Sequence, residues 1–304
     1  MKRRLAALLL AVCMLAGRTP ASAAETMAGG SGQAAVQASG AEPGTEEYGN
    51  GLASIRVSGD DPGAMTVEWR GSGDPDVRMQ VELDGDGGTP YTYRLQDGPT
   101  RVTFTEGGGT YRVTVLQHVE GIRFRVACRA AVEVGDAGSG AFTGPTAMVR
   151  YGPDSGFAKK ADELCENCKT DTDDIAKIYA FVTGHMSYDG AKAKAISDGG
   201  WTGGSVPDPD AAYESGKGVC YDIAGLMAAM LRSRGVPCKL VYGHVDGMYH
   251  AWCMVLPDRD GTAGGMALKA GEWSLLDPTL GLSSNERLAQ RYAADGAYKA
   301  ERTY

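Results

Sequence analysis

The stretch Gly216–Leu240, GKGVCYDIAGLMAAMLRSRGVPCKL, decides how this chain is read. Ile223, Leu226, Met227, Met230 and Leu231 recur at three- and four-residue steps, the spacing of one helix face. Gly235 and Pro237 stop the helix, which gives a span of Cys220–Arg234. A cysteine therefore stands at a helix N-terminus, just behind Gly216 and Gly218, where tight backbone turns leave room for an incoming carbonyl. Unpaired N–H groups and the helix dipole favour a negative sulfur there, and a thiol of ordinary pKa ~8.5 is lowered in such a place. The Cys220 N–H is also placed to donate to an oxyanion. Taken alone, Cys220 equally fits a small buried core cysteine, so partners elsewhere in the chain decide.

A thiol nucleophile needs an imidazole, and the chain offers His118, His185, His244 and His250. Strands predicted over 239–245 and 250–256, joined by a short symmetric turn within 246–249, put His244 and His250 on opposite faces. His250 is the better partner, because it begins the strand Ala251-Trp252-Cys253-Met254-Val255 and is fixed by buried neighbours. A third group should orient the ring and stabilise its positive charge. Asp277 ends the next apolar strand in Trp273-Ser274-Leu275-Leu276-Asp277-Pro278-Thr279, although an aspartate before proline is also an ordinary turn residue.

Gly218-Val219-Cys220-Tyr221-Asp222, His250-Ala251-Trp252 and Trp273 to Thr279, in that order and spacing, resemble the transglutaminase-like superfamily, a papain-like cysteine fold found in many exported bacterial proteins. The resemblance covers about residues 158–282. It implies Cys220 as nucleophile, His250 as general base and acid, and Asp277 as orienting carboxylate, with the cysteine helix packed on an antiparallel sheet that carries the other two. It implies acyl transfer on amides through a thioester, by hydrolysis or crosslinking, with no cofactor and no calcium dependence. The oxyanion tryptophan of animal transglutaminases is not recognisable. Trp201 is a candidate, but a packing role suits its glycine-rich loop better.

Around this core the chain divides by composition. Lys2, Arg3 and Arg4, the apolar run Leu5–Leu15 and Ala21-Ser22-Ala23 read as an export signal, residues 1–23. Residues 24–49 are small and polar and read as a flexible linker. Residues 50–150 show period-two runs such as Met65–Trp69, Arg78–Leu83 and Thr110–Val115, separated by glycine-rich turns, which predict an antiparallel β-sandwich. Residues 151–304 turn to helical periodicity, with helices over 158–168, 173–184 and 210–215, and then strands: the α+β catalytic domain. The formal net charge of −8, more negative once the basic leader is removed, argues against nucleic acid as a partner. No later apolar run is long enough to span a bilayer. The mature chain is thus expected at the cell surface or secreted, acting on peptide or protein substrates, cell-wall-associated ones included. The rival reading is a binding or scaffold module with an idle triad.

The other cysteines suggest no disulfide framework. Cys165-x-x-Cys168 lacks a second Cys or His pair, so no metal is expected there, and a local disulfide or two idle thiols fits better. Cys238 and Cys253 lie on adjacent strands but out of register for a bond. A calcium loop at Asp84-Gly85-Asp86 fails because Leu95 stands where the bidentate glutamate belongs. Asp222 is read as fixing the nucleophile helix end, and Tyr188 and Asp189 as packing and turn residues.

Overall fold

The structure, a computed structural model, describes residues 36–37, 45–72, 76–84, 90–95, 98–136, 138–200, 206–282 and 286–304. The proposed export signal, most of the linker, the Gly85-Asp86-Gly87-Gly88 turn and Trp201 lie outside these residues. The chain forms two compact units that divide between Ala141 and Phe142.

The first unit is all-β. Its strands are β1 (Val36–Gln37), β2 (Thr45–Gly49), β3 (Ala53–Ser58), β4 (Asp61–Trp69), β5 (Val77–Leu83), β6 (Tyr91–Arg94), β7 (Thr100–Thr103), β8 (Gly109–Glu120) and β9 (Arg123–Val134). They make two sheets with orders β1-β2-β3-β4-β7 and β6-β5-β8-β9, all pairs being antiparallel. Alternation does what period two requires: Val77, Met79 and Val81 of β5 are buried between partly exposed neighbours. Opposite them, Val113 and Val115 pair with Val81 and Met79. Thr45–Gly49 falls in the stretch expected to be a tether, yet it pairs residue by residue with β3. Backbone pairing, not apolar side chains, holds that strand, so its composition gave no sign of it.

The second unit is α+β. Its helices are α1 (Gly156–Cys165), α2 (Asp171–His185), α3 (Gly190–Ala195), α4 (Pro209–Ser215), α5 (Cys220–Ser233), α6 (Pro278–Gly281) and α7 (Glu286–Ala294). Its strands are β10 (Ser187–Tyr188), β11 (Lys217–Gly218), β12 (Cys238–Val245), β13 (Met248–Val255), β14 (Gly261–Ala263), β15 (Met266–Leu268), β16 (Ser274–Leu276) and β17 (Tyr298–Thr303). The main sheet has the order β16-β13-β12-β17, every pair antiparallel.

Helix α5 is the centre of this unit. Every residue from Tyr221 to Arg232 is buried, because α1, α2 and α4 cover it on one side and β12 and β13 on the other. The buried Arg232 reconciles its charge with that setting through backbone oxygens: Nε donates to Cys238 O at 2.7 Å, one terminal nitrogen to Gly144 O at 3.2 Å and the other to Tyr304 O at 2.7 Å. Strand β17 approaches β12 closely at Gly243, where a Cβ atom would lie 2.0 Å from the Lys299 carbonyl oxygen. Among the described residues no helix is long and apolar enough to cross a membrane.

Candidate active site

The loop before α5 is fixed from three sides. Lys217–Gly218 pairs in parallel with Ser187–Tyr188, and the Asp189 N–H donates to Gly218 O at 2.9 Å. Val219 is the N-cap of α5 and Cys220 its first residue. Two positions on, the buried Asp222 accepts the Val219 N–H at 2.9 Å, and Lys192 Nζ from α3 reaches both its carboxylate oxygens at 2.9 and 2.8 Å. Asp222 thus closes the helix end, as its first-turn position suggests. Gly218 is the room that Asp222 requires: a Cβ there would stand 2.6 Å from Asp222 Cβ. Tyr188, expected to be a packing residue, lies half-buried directly beside Gly218.

Strands β12 and β13 turn at Asp246-Gly247, both with positive φ (51° and 79°), a two-residue hairpin. The register pairs His244 with Tyr249 and Gly243 with His250, so the two histidines face opposite ways. His244 Nδ1 meets Glu301 Oε1 at 2.9 Å near the surface. His250 is buried, and its Nε2 is 2.8 Å from Asp277 Oδ2. It shares its face of β13 with Trp252, whose ring lies near-parallel at 6.4 Å. Ala251 and Cys253 face the other way, where Cys253 Sγ contacts Ala224 O of α5 at 3.3 Å. The other two histidines are occupied: His118 Nε2 with Gly121 O, and His185 Nε2 with Tyr213 O.

Asp277 is fully buried and holds four donors. Its Oδ1 caps α6, accepting the Thr279 and Leu280 N–H groups at 3.0 and 3.1 Å. Its Oδ2 is shared by His250 Nε2 and the Tyr298 hydroxyl, each at 2.8 Å. Burial by itself raises the carboxyl pKa, but the charge and hydrogen bond of His250, with the Leu280 N–H and the Tyr298 hydroxyl, outweigh it and hold the group below the ordinary aspartate value. An ionised carboxylate only accepts, so Nε2 carries the ring proton and Nδ1 is the basic nitrogen. Burial, and then the Asp277 charge, drive the Tyr298 phenol far above its usual pKa. It stays a hydroxyl donor at every working pH.

Cys220 bears electrostatically on two tyrosines of the same hairpin. Burial first, then the Tyr304 phenol, then a charge on Cys220 raise the Tyr242 phenol. Burial, the Glu301 carboxylate and Cys220 push Tyr249, the residue before His250, up to about 12. Thus the structure brings His250 and Asp277 into direct contact and sets Cys220, half-exposed, at the head of the helix that packs on their sheet.

One feature of the site escaped the sequence reading. Tyr298 arrives on β17, a strand with no alternating apolar pattern. Asp277 as the cap of α6 was legible, since Asp-Pro-Thr places an N-cap residue before a proline at the first helical position. Cys238 and Cys253 are two residues out of register and both free. Cys165 and Cys168 are also free. Asp174, from the first turn of α2, joins them, so that the two sulfurs and a carboxylate oxygen lie within 4.8 Å of one another.

The half-exposed thiol heads the central helix, and the buried imidazole–carboxylate pair lies on the sheet against which that helix packs. Residues 158–278 match the transglutaminase-like superfamily, and this part of the chain is a transglutaminase-like domain. No curated protein matches the chain. Two solved structures are similar at 12% identity: a candidate cysteine protease from Cytophaga hutchinsonii, with TM-score 0.37 over 67% of this chain and 62% of that one, and a candidate protease from Parabacteroides distasonis, with TM-score 0.29 over 77% and 68%. The chain therefore spans less than two thirds of the length of the first.

Proposed function

We propose that the chain is an exported cysteine-dependent enzyme that cleaves peptide or protein amides at the cell surface, with Cys220, His250 and Asp277 as its triad. The buried hydrogen bond between His250 and Asp277 is the observation that carries this reading: it fixes the ring tautomer that a thiol nucleophile requires. In the reaction the Cys220 thiolate attacks the substrate carbonyl, and the N-terminal end of α5 favours its negative charge. The His250 imidazolium gives its Nδ1 proton to the departing amine, leaving a thioester on Cys220. Water then loses a proton to Nδ1 and attacks the thioester, releasing the acid and restoring the ion pair. Asp277 remains ionised throughout and balances the imidazolium. Hydrolysis is favoured over crosslinking because water is always present, whereas an amine acceptor must be bound.

The test is alkylation of the reduced chain by iodoacetamide at pH 7, mapped by peptide mass. Cys220 should react far faster than the other five cysteines after residue 23, and a peptide substrate should leave an acyl adduct on Cys220 alone. Uniformly slow alkylation would overturn the proposal in favour of an idle module.

A further inference from the structure

Away from the catalytic residues, α1 ends and α2 begins at a second cluster of ligating groups. Cys165 is the last residue of α1, and the chain turns back through the Cys168 N–H to Cys165 O bond at 2.9 Å. This two-residue gap is the spacing that lets both sulfurs of a Cys-x-x-Cys pair reach one ion. Asp174 supplies the third group, and its two carboxylate oxygens differ. Oδ2 accepts from Arg234 Nε at 3.1 Å. Oδ1 is fully buried and receives no N–H or O–H donor, yet the Asp174 carboxylate stands within 4.8 Å of both sulfurs. A buried carboxylate oxygen without such a donor is costly. The adjoining thiols answer it poorly. As thiols they offer Oδ1 only weak S–H donors.

We propose that Cys165, Cys168 and Asp174 bind one thiophilic divalent cation of the zinc class, which ties the end of α1 to the first turn of α2. The charges favour it. Two thiolates and a carboxylate carry −3 and the ion brings +2; Arg234 at Oδ2 is shared with Asp162 at 2.7 Å, and the Lys177 cation beside Cys168 brings the surroundings to neutrality. On binding, each thiol releases its proton to solvent as its metal–sulfur bond forms. Ligand atoms of a tetrahedral zinc site, with bonds of roughly 2.0–2.3 Å, lie about 3.5–3.8 Å apart. Loading therefore asks for a contraction of at most about 1.3 Å, within reach of side-chain rotation. Three protein ligands leave the fourth position to water. A disulfide suits the site less well, because it would remove both S–H groups and leave Oδ1 buried without any donor.

Helices α1 and α2 both pack on α5, so the ion would brace the support of the nucleophile helix without touching the chemistry. The experiment uses the full chain, reduced, freed of metal with a chelator and dialysed against cobalt(II) or zinc(II). The expected result is one metal per chain, a thiolate-to-cobalt charge-transfer band, and two cysteines protected from iodoacetamide by zinc. Cys220→Ala should leave all three unchanged. Cys168→Ser should abolish the band, and Asp174→Asn should weaken binding at least about tenfold. Should Asp174→Asn fail to fold, the half-exposed Cys168 still decides. Absence of a band in the reduced chain, a band that survives Cys168→Ser, or uptake lost in Cys220→Ala would each overturn the assignment.

Discussion

Asp277→Asn removes one charge from the centre of the site and leaves the volume unchanged. The asparagine oxygen can still accept the Thr279 and Leu280 N–H groups, so the cap of α6 survives. The amide NH2 then stands where Oδ2 met His250 Nε2 and the Tyr298 hydroxyl. Two donors face it, and the ring must release its Nε2 proton to accept from the amide. The proton moves to Nδ1, the nitrogen the thiol needs as its base. In a serine–histidine–aspartate triad the equivalent change lowers kcat about 10⁴-fold; here we expect ~10³–10⁴-fold, or roughly 4–5.5 kcal/mol of transition-state stabilisation. Alkylation gives a second reading that needs no substrate. Without a stable imidazolium, Cys220 returns towards the ordinary thiol pKa of ~8.5, so at pH 7 the thiolate fraction, and the iodoacetamide rate, fall about thirtyfold. The two proteins should converge above pH 9. Stability should also lose one acid-sensitive contribution. A carboxyl whose pKa is lowered by folding stabilises the fold fully above the unfolded value of ~3.9 and ceases to do so as the pH falls through its folded value. Acid unfolding curves of the wild type should contain this loss, and those of Asp277→Asn should lack it. Wild-type alkylation of Cys220 at pH 7 in a folded Asp277→Asn chain would refute the reasoning.

Three further outcomes follow from contacts around the site. Tyr298→Phe removes a hydroxyl donor to a buried carboxylate and should cost about 1.5–3 kcal/mol in urea unfolding, with turnover reduced less than by Asp277→Asn because the His250 contact remains. Gly243→Ala drives a methyl group into the Lys299 carbonyl; β17 should detach or the fold lose roughly 1–3 kcal/mol, seen as faster amide exchange over residues 298–303. Lys192→Met leaves the buried Asp222 carboxylate with its helix-end contact alone. Because Lys192 is partly exposed, the cost should be ~1–3 kcal/mol, below that of breaking a fully buried pair, and thermal melts should show it.

Much of the transglutaminase-like domain was legible because local signals agreed with one another. The helix from Cys220 was bounded by Gly235 and Pro237, and the structure ends it one residue earlier, at Ser233. The opposite orientation of His244 and His250 followed from the turn length alone. What the sequence concealed was non-local. Strand β17 carries Glu301 and Arg302 and no apolar alternation, because it is an edge strand held by pairing with β12. Burial of Arg232 defies its residue type, and only the three oxygens that surround it explain its place. Likewise Asp174 reads as a first-turn helix acid, and nothing in its spacing reveals that its carboxylate faces the two sulfurs.

Strand β17 adds a consequence about timing. Tyr298 follows Cys220, His250 and Asp277 in the chain, so synthesis from the N-terminus delivers those three residues before the strand that clamps the carboxylate. Until that last segment emerges and zips against β12, the imidazole's support is incomplete. A chain whose last segment is still missing therefore holds the Asp277 carboxylate with one donor fewer.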